Sequence, residues 1–180
     1  GKPEVLAACL DQFESSDNMT ERLTALAVLV NSPFEEEKAR ALASFAEFFK
    51  DNPLVMDQWF SVQAASALPG TLAKVQALMQ HPAFTLTNPN KIRALIGAFA
   101  GQNPLNFHQA DGSGYRFLAD QVITLNALNP QVASRLLSSL TRWGKYDSAR
   151  QALMRAELER ILACGELSSD VFEVVSKSLA

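Results

Sequence analysis

The stretch from Phe107 to Leu118 gathers a histidine, an aspartate, a serine and two glycines in a chain otherwise rich in Ala and Leu. Residues of these types can build a catalytic loop or a phosphate cradle, but the surrounding sequence supports neither. A phosphate-binding loop follows a strand and carries Gly-Lys-Ser/Thr, which Asp111-Gly112-Ser113-Gly114 lacks. No Gly-x-Ser-x-Gly elbow occurs. The two histidines, His81 and His108, belong to no His-Glu-x-x-His motif, and no Glu-x-x-His pair suggests a di-iron bundle. The stretch therefore reads as a joint between helices. Asp111 and Gly112 favour a turn, and Ser113 is suited to cap the next helix. Phe107 and Phe117 would anchor the joint, with His108 bonding backbone inside it. His81, just before Pro82, reads as a helix-end residue serving the last carbonyls.

Two arginines stand in less ordinary places. Arg93 and Arg135 fall early in helices expected to begin at Pro89 and Pro130, where the helix dipole prefers acids, and both lie off the apolar stripes. Gln131, four residues before Arg135, shares its face. Gly97 and Ala100, beside Arg93, leave room for a peptide or another helix. On the residues alone, a surface arginine or an intradomain ion pair is the simpler reading.

The elements that must position these groups are helices. Apolar residues recur at three and four, as in Leu23, Leu26, Ala27 and Val30 or Ile92, Leu95, Ile96 and Phe99, with no sustained alternation. The pattern predicts about ten helices, at roughly 3–14, 19–30, 34–50, 54–66, 71–80, 89–100, 114–127, 130–143, 146–163 and 170–179. Asn52-Pro53, Asn88-Pro89 and Asn129-Pro130 each precede an apolar run. Asn accepts from an orphan amide there, and Pro at the first helical position has no donor to waste. Ser32-Pro33 is expected to act likewise, with Glu35-Glu36-Glu37 in a solvated first turn. Trp143-Gly144 reads as a helix end with a left-handed glycine. The Asn-Pro starts lie 36 and 41 residues apart, the length of a helix-turn-helix unit. The expected fold is all-α, a single domain over 1–180, with antiparallel helix pairs stacked as a HEAT/armadillo-like curved superhelix.

Of the 180 residues, 48% are hydrophobic and 19% charged, which is a globular composition. A net charge of −3 offers no basic excess for nucleic acid, and no apolar run is long enough to cross a membrane. Cys9 and Cys164 lack metal-like spacing and read as reduced, buried thiols in a cytoplasmic setting. A start at Gly1 without Met reads as a fragment. Trp59-Phe60 and the Phe45, Phe48, Phe49 group read as packing, and Arg155, Glu157, Glu159 and Arg160 as a solvated face.

Several blocks resemble the carboxy-terminal domain of the bacterial aminopeptidase N family. They are Asn88-Pro-Asn-Lys-Ile-Arg-Ala-Leu-Ile-Gly-Ala-Phe-Ala-Gly101, Asn103-Pro-Leu-Asn-Phe-His108, Asp111-Gly-Ser-Gly-Tyr115 and Asn129-Pro-Gln-Val-Ala-Ser-Arg135, with Tyr146-Asp147, Arg150-Gln151 and the terminal Leu-Ala. The first half agrees more loosely, in Ala41-Leu-Ala-Ser-Phe45 and Trp59-Phe60. The resemblance implies the carboxy-terminal portion of a larger zinc metallopeptidase that removes amino-terminal residues from peptides. This portion would close over the catalytic chamber. Neither the zinc motif nor the exopeptidase signature is present, so the resemblance implies no catalytic residue, no metal or other cofactor here, and zinc in the parent enzyme. It places Arg93, Gln131 and Arg135 on the substrate cavity. The partners it implies are the catalytic and amino-terminal domains of the same chain and a peptide, and excision would favour self-association. The alternative is a freestanding helical-repeat scaffold that binds a protein or peptide.

Overall fold

Asparagine side chains start the helices that build the site. In the computed structural model, which describes residues 3–180, the amides of Val55, Asn90 and Val132 donate to Asn52, Asn88 and Asn129 at 3.3, 2.9 and 3.2 Å. A fourth Asn-Pro start, at Asn103, accepts from the Asn106 amide at 3.1 Å. Each cap satisfies one donor that the first turn would otherwise leave open.

The helices are α1 (Pro3–Ser15), α2 (Met19–Val30), α3 (Glu35–Phe49), α4 (Pro53–Ala64) and α5 (Thr71–Leu78), then α6 (Pro89–Ile92). A π-helical turn, Arg93–Gly97, joins α6 to α7 (Ala98–Gln102). There follow α8 (Pro104–Phe107), α9 (Ser113–Leu128), α10 (Pro130–Leu136), α11 (Ser148–Leu162) and α12 (Ser169–Leu179). Two 3-10 turns, Leu137–Ser139 and Trp143–Lys145, lie between α10 and α11. The described residues include no strand. The all-α expectation holds, and α6, the π turn and α7 fill the span expected as one helix.

Packing proceeds between neighbours: α1 on α2, α2 and α3 on α4, α4 on α5 and the π turn, α9 on α10 and α11, and α12 on α10 and α11. This is the arrangement of stacked repeat units, in which each pair buries the face of the next. Phe45, Phe60, Phe99, Phe107, Tyr115 and Leu118 are among the fully buried side chains. Phe99 takes both Phe107 and Phe117 edge-on, at 6.0 and 5.7 Å between ring centres. These two anchors hold the 107–118 joint as expected.

Other details depart from the sequence reading. The helix expected over 130–143 stops at Leu136, because the Leu140 and Thr141 amides both turn back to the Leu137 carbonyl, at 2.8 and 2.9 Å. Ser138, Ser139 and Thr141 are weak helix formers there. Gly144 is not left-handed; among the described residues Gly70, Gly112 and Gly165 are the glycines with positive φ. Ser113 does not cap α9. It is the first helical residue, and its amide donates to Asp111 Oδ1 at 2.9 Å. The Glu35-Glu36-Glu37 run does occupy the first turn of α3, but Phe34 precedes it without a side-chain cap. Cys164 is exposed and Cys9 half-buried, so the pair are not both core thiols. Phe48 is 66% exposed, under the Arg22 guanidinium 4.6 Å from its ring. His81 stacks near Trp59 and accepts from the Ala83 amide at 3.1 Å, serving an amide and not carbonyls.

Candidate functional site: an arginine-lined trough

The π turn brings Arg93, Gly97 and, one turn on, Gly101 to the side of the rod that faces α10. A π turn adds a residue to the helix and re-aims the side chains around it. Ser61 of α4 donates to the Ala94 carbonyl inside this turn at 2.9 Å, satisfying a group in the widened ladder. A Cβ on Gly97 would lie 3.7 Å from Leu136 Cδ2, an ordinary contact distance, so Gly97 faces α10 without being crowded by it.

The rod is pinned beneath by charge. Lys91 and Asp57 are buried to 8 and 15% side-chain exposure, with Nζ 2.7 Å from Oδ1. Lys91 also donates to the Pro53 carbonyl at 3.1 Å. A buried pair of this kind fixes the relation of α6 to α4, since separating the charges leaves each uncompensated in a site with little water.

Arg93 and Arg135 line the same cavity, of about 300 Å³, with Gly97, Gly101, Val132 and Ser139 among its other walls. Arg93 is steadied by Asn90, whose Oδ1 accepts from Nη2. Gln131 lies one turn before Arg135 on α10, exposed and outside the lining set. The dipole argument does not survive for Arg135. Because α10 is short, this arginine sits in its last turn, where a cation is favoured.

A second hollow, of about 290 Å³, continues from the first through Gly101, Ser138 and Ser139, so the two form one trough. Its far walls include His108, Arg142 and Tyr146. No carboxylate lines either part. Among the described residues no ion pair involves Arg93, Arg135 or Arg142. A protein of net charge −3 thus concentrates three unpaired guanidinium groups on one concavity.

His108 departs from the reading of its joint. Its ring, not backbone, carries the interaction: Nδ1 is 2.8 Å from the Tyr115 hydroxyl and Nε2 is 3.0 Å from that of Tyr146. Arg150 Nε donates to the His108 carbonyl at 3.1 Å and is itself held by Asp147 at 2.7 Å. Burial, then the Arg150 charge, hold the imidazole below its usual pKa. Burial likewise raises the Tyr115 phenol. Gly114 closes the joint, because its α-carbon lies so near the Phe107 backbone that a Cβ would fall 2.3 Å from the carbonyl oxygen.

Arg142 and Tyr146 escaped the residue-level reading. The available signal was spacing: Arg142 follows Arg135 by seven residues, with Ser138 and Ser139 between. No group of three or more His, Cys, Asp or Glu residues among those described could hold a metal ion. His81 and His108 are both occupied by internal bonds, so the residues present do not fit a zinc site.

A model of the domain family described as "Domain of unknown function (DUF3458_C) ARM repeats" matches residues 1–180. The chain belongs to this ARM-repeat family. Among curated relatives, aminopeptidase N of Escherichia coli K12 is 46% identical over 169 residues, covering 94% of this chain and 19% of that protein. Aminopeptidase N of Caulobacter vibrioides is 43% identical over 176 residues, covering 98% and 20%. The solved structure of Legionella pneumophila aminopeptidase A in complex with aspartic acid superposes with a TM-score of 0.91 at 38% identity, over 97% of this chain and 20% of that one. The DUF3458_C chain described here thus spans about a fifth of the length of these relatives, and the resemblance read from its second half extends over nearly all of it.

Proposed function

We propose that this domain is the cap of a zinc-dependent aminopeptidase, closing over the catalytic chamber and helping to position the peptide. The reading is supported by similarity to aminopeptidase N along almost the whole chain. The observation that carries the positioning role is the shared cavity of Arg93 and Arg135, which no acid neutralises. A guanidinium offers a fixed fork of donors that matches a carbonyl or carboxylate and does not deprotonate near neutral pH. These residues therefore hold and orient; they do not transfer protons. Gln131 extends the same face of α10 and adds a neutral donor and acceptor.

In this reading the zinc and the groups that cleave belong to the remainder of the chain, in a cytoplasmic enzyme. Exposed Phe48, Leu54, Leu105, Leu128 and Phe172 offer apolar surface for the catalytic and amino-terminal domains to cover, or for self-association once the domain is excised. The isolated domain is expected to hydrolyse nothing; cleavage of an aminoacyl reporter by the purified domain with zinc would contradict this. The direct test is Arg135→Ala in the full-length enzyme. KM is expected to rise about tenfold for peptides that reach the trough, the loss of one charge-assisted hydrogen bond, with kcat within about twofold. Unchanged constants across peptides of two to five residues would remove the assignment.

A further inference from the structure

The hydroxyl protons at the far end of the trough have a forced order. Tyr115 is wholly buried, and its oxygen meets His108 Nδ1 at 2.8 Å. Arg150, Tyr146 and Asp147 act on that oxygen from longer range, and His108 Nδ1 is its hydrogen-bond partner among the described residues. The Tyr115 proton therefore has one acceptor, Nδ1. Turning it elsewhere would bury an unsatisfied donor, a substantial penalty. A neutral imidazole that accepts at Nδ1 carries its hydrogen on Nε2 and donates it to the Tyr146 oxygen, 3.0 Å away. The single proton of Tyr146 is then left over, on a hydroxyl that lines the trough. Arg142 lines the same hollow, without an acidic partner among the described residues.

We propose that this end of the trough is a second subsite, in which the Tyr146 hydroxyl and the Arg142 guanidinium bind the carboxy-terminal carboxylate of a peptide. It rests on the reading of the trough as a peptide wall and assigns the wall a direction. The Arg93 and Arg135 end meets the chain of the peptide, and the Arg142 and Tyr146 end meets its terminus. His108 is a positioning residue: it fixes the Tyr146 hydroxyl as a donor by occupying that oxygen's acceptor side. An anion suits such a site better than a cation does, since its lining holds a guanidinium and hydroxyl groups and no carboxylate.

The experiment uses the full-length aminopeptidase that carries this domain, with peptides of two to five residues supplied as free acids and as carboxy-terminal amides. Tyr146→Phe removes one hydroxyl and leaves the ring; Arg142→Gln removes a charge from an exposed position. Each is expected to lower the acid-over-amide preference in kcat/KM by about tenfold at the peptide length that spans the trough, through KM. Equal changes for acids and amides, or no change at any length, would overturn the subsite. Arg135→Ala is measured on the same panel. If it alters nothing while Tyr146→Phe still separates acids from amides, the positioning role of Arg93 and Arg135 fails and the subsite stands. If only Arg135→Ala acts, the subsite alone fails.

Discussion

Two concavities at opposite ends of the described residues are built from opposite materials. The amino-terminal one, about 630 Å³ between α1, α2 and the segment before α3, is lined by Val5, Leu6, Cys9, Val28 and Phe34, with no charged side chain. The carboxy-terminal trough, in two parts of about 300 and 290 Å³, carries three arginines, a histidine and a tyrosine. Apolar walls can bury a surface without orienting it, whereas fixed donors choose both the ligand's charge and its pose. The difference also reaches the supports. Behind the trough stand a π turn, a buried ion pair, a glycine with no room for a methyl group and a tyrosine–histidine–tyrosine chain. Behind the hollow stand mainly apolar contacts and the hydrogen bonds of one neutral side chain, Asn31. Charge, more than size, tells the two apart.

The contrast is broken most severely from below. Asp57→Ala strands the buried Lys91 charge and is expected to cost about 3–5 kcal/mol, read as a lower unfolding midpoint. Gly114→Ala comes next, at about 3 kcal/mol, because the obstruction is the Phe107 backbone and cannot rotate away. If either variant melts like the parent, the trough is less rigidly supported than its geometry indicates. Both are best measured in the full-length enzyme.

These supports were unequally legible in the sequence. Helical periodicity and the Asn-Pro starts gave the elements, because a cap and a ring constraint act locally. Arg93 and Arg135 stood out because they fall soon after Asn-Pro starts, where acids are the ordinary choice, and off the apolar stripes. The argument that both oppose a helix dipole failed for Arg135, since the shortening of α10 arises from the way Leu140 and Thr141 fold back on Leu137. The His108 chain was hidden for a different reason: Tyr115 and Tyr146 lie 7 and 38 positions from it, and only tertiary packing brings their oxygens to the two ring nitrogens. The joint that looked like chemistry is structural at Gly112 and Gly114, while its histidine lines the trough.

A smaller effect follows from protonation. His108 faces the Tyr115 and Tyr146 hydroxyls, the Arg150 guanidinium that Asp147 pairs, and Arg142 across the hollow. Its folded pKa is lowered, so the unfolded chain binds the extra proton first. The associated stability is complete above the ordinary imidazole pKa of about 6.5 and is lost as pH falls below it. His108→Gln should flatten that part of the melting-temperature profile; an unaltered slope would show that the imidazole is not the titrating group. Smallest of all, Val28→Ser in the apolar hollow should shift stability by no more than about 0.5 kcal/mol and leave peptide hydrolysis untouched. A raised KM in that variant would move substrate contact to the other concavity and erase the contrast.

The most direct measurement is a structure of the full-length enzyme holding a peptide analogue that it cannot cleave. The account predicts peptide carbonyl or carboxylate oxygens within about 3 Å of the Arg93 and Arg135 guanidinium groups. A peptide bound at the catalytic centre with both arginines turned to solvent, or with the trough buried against another part of the protein, would contradict it.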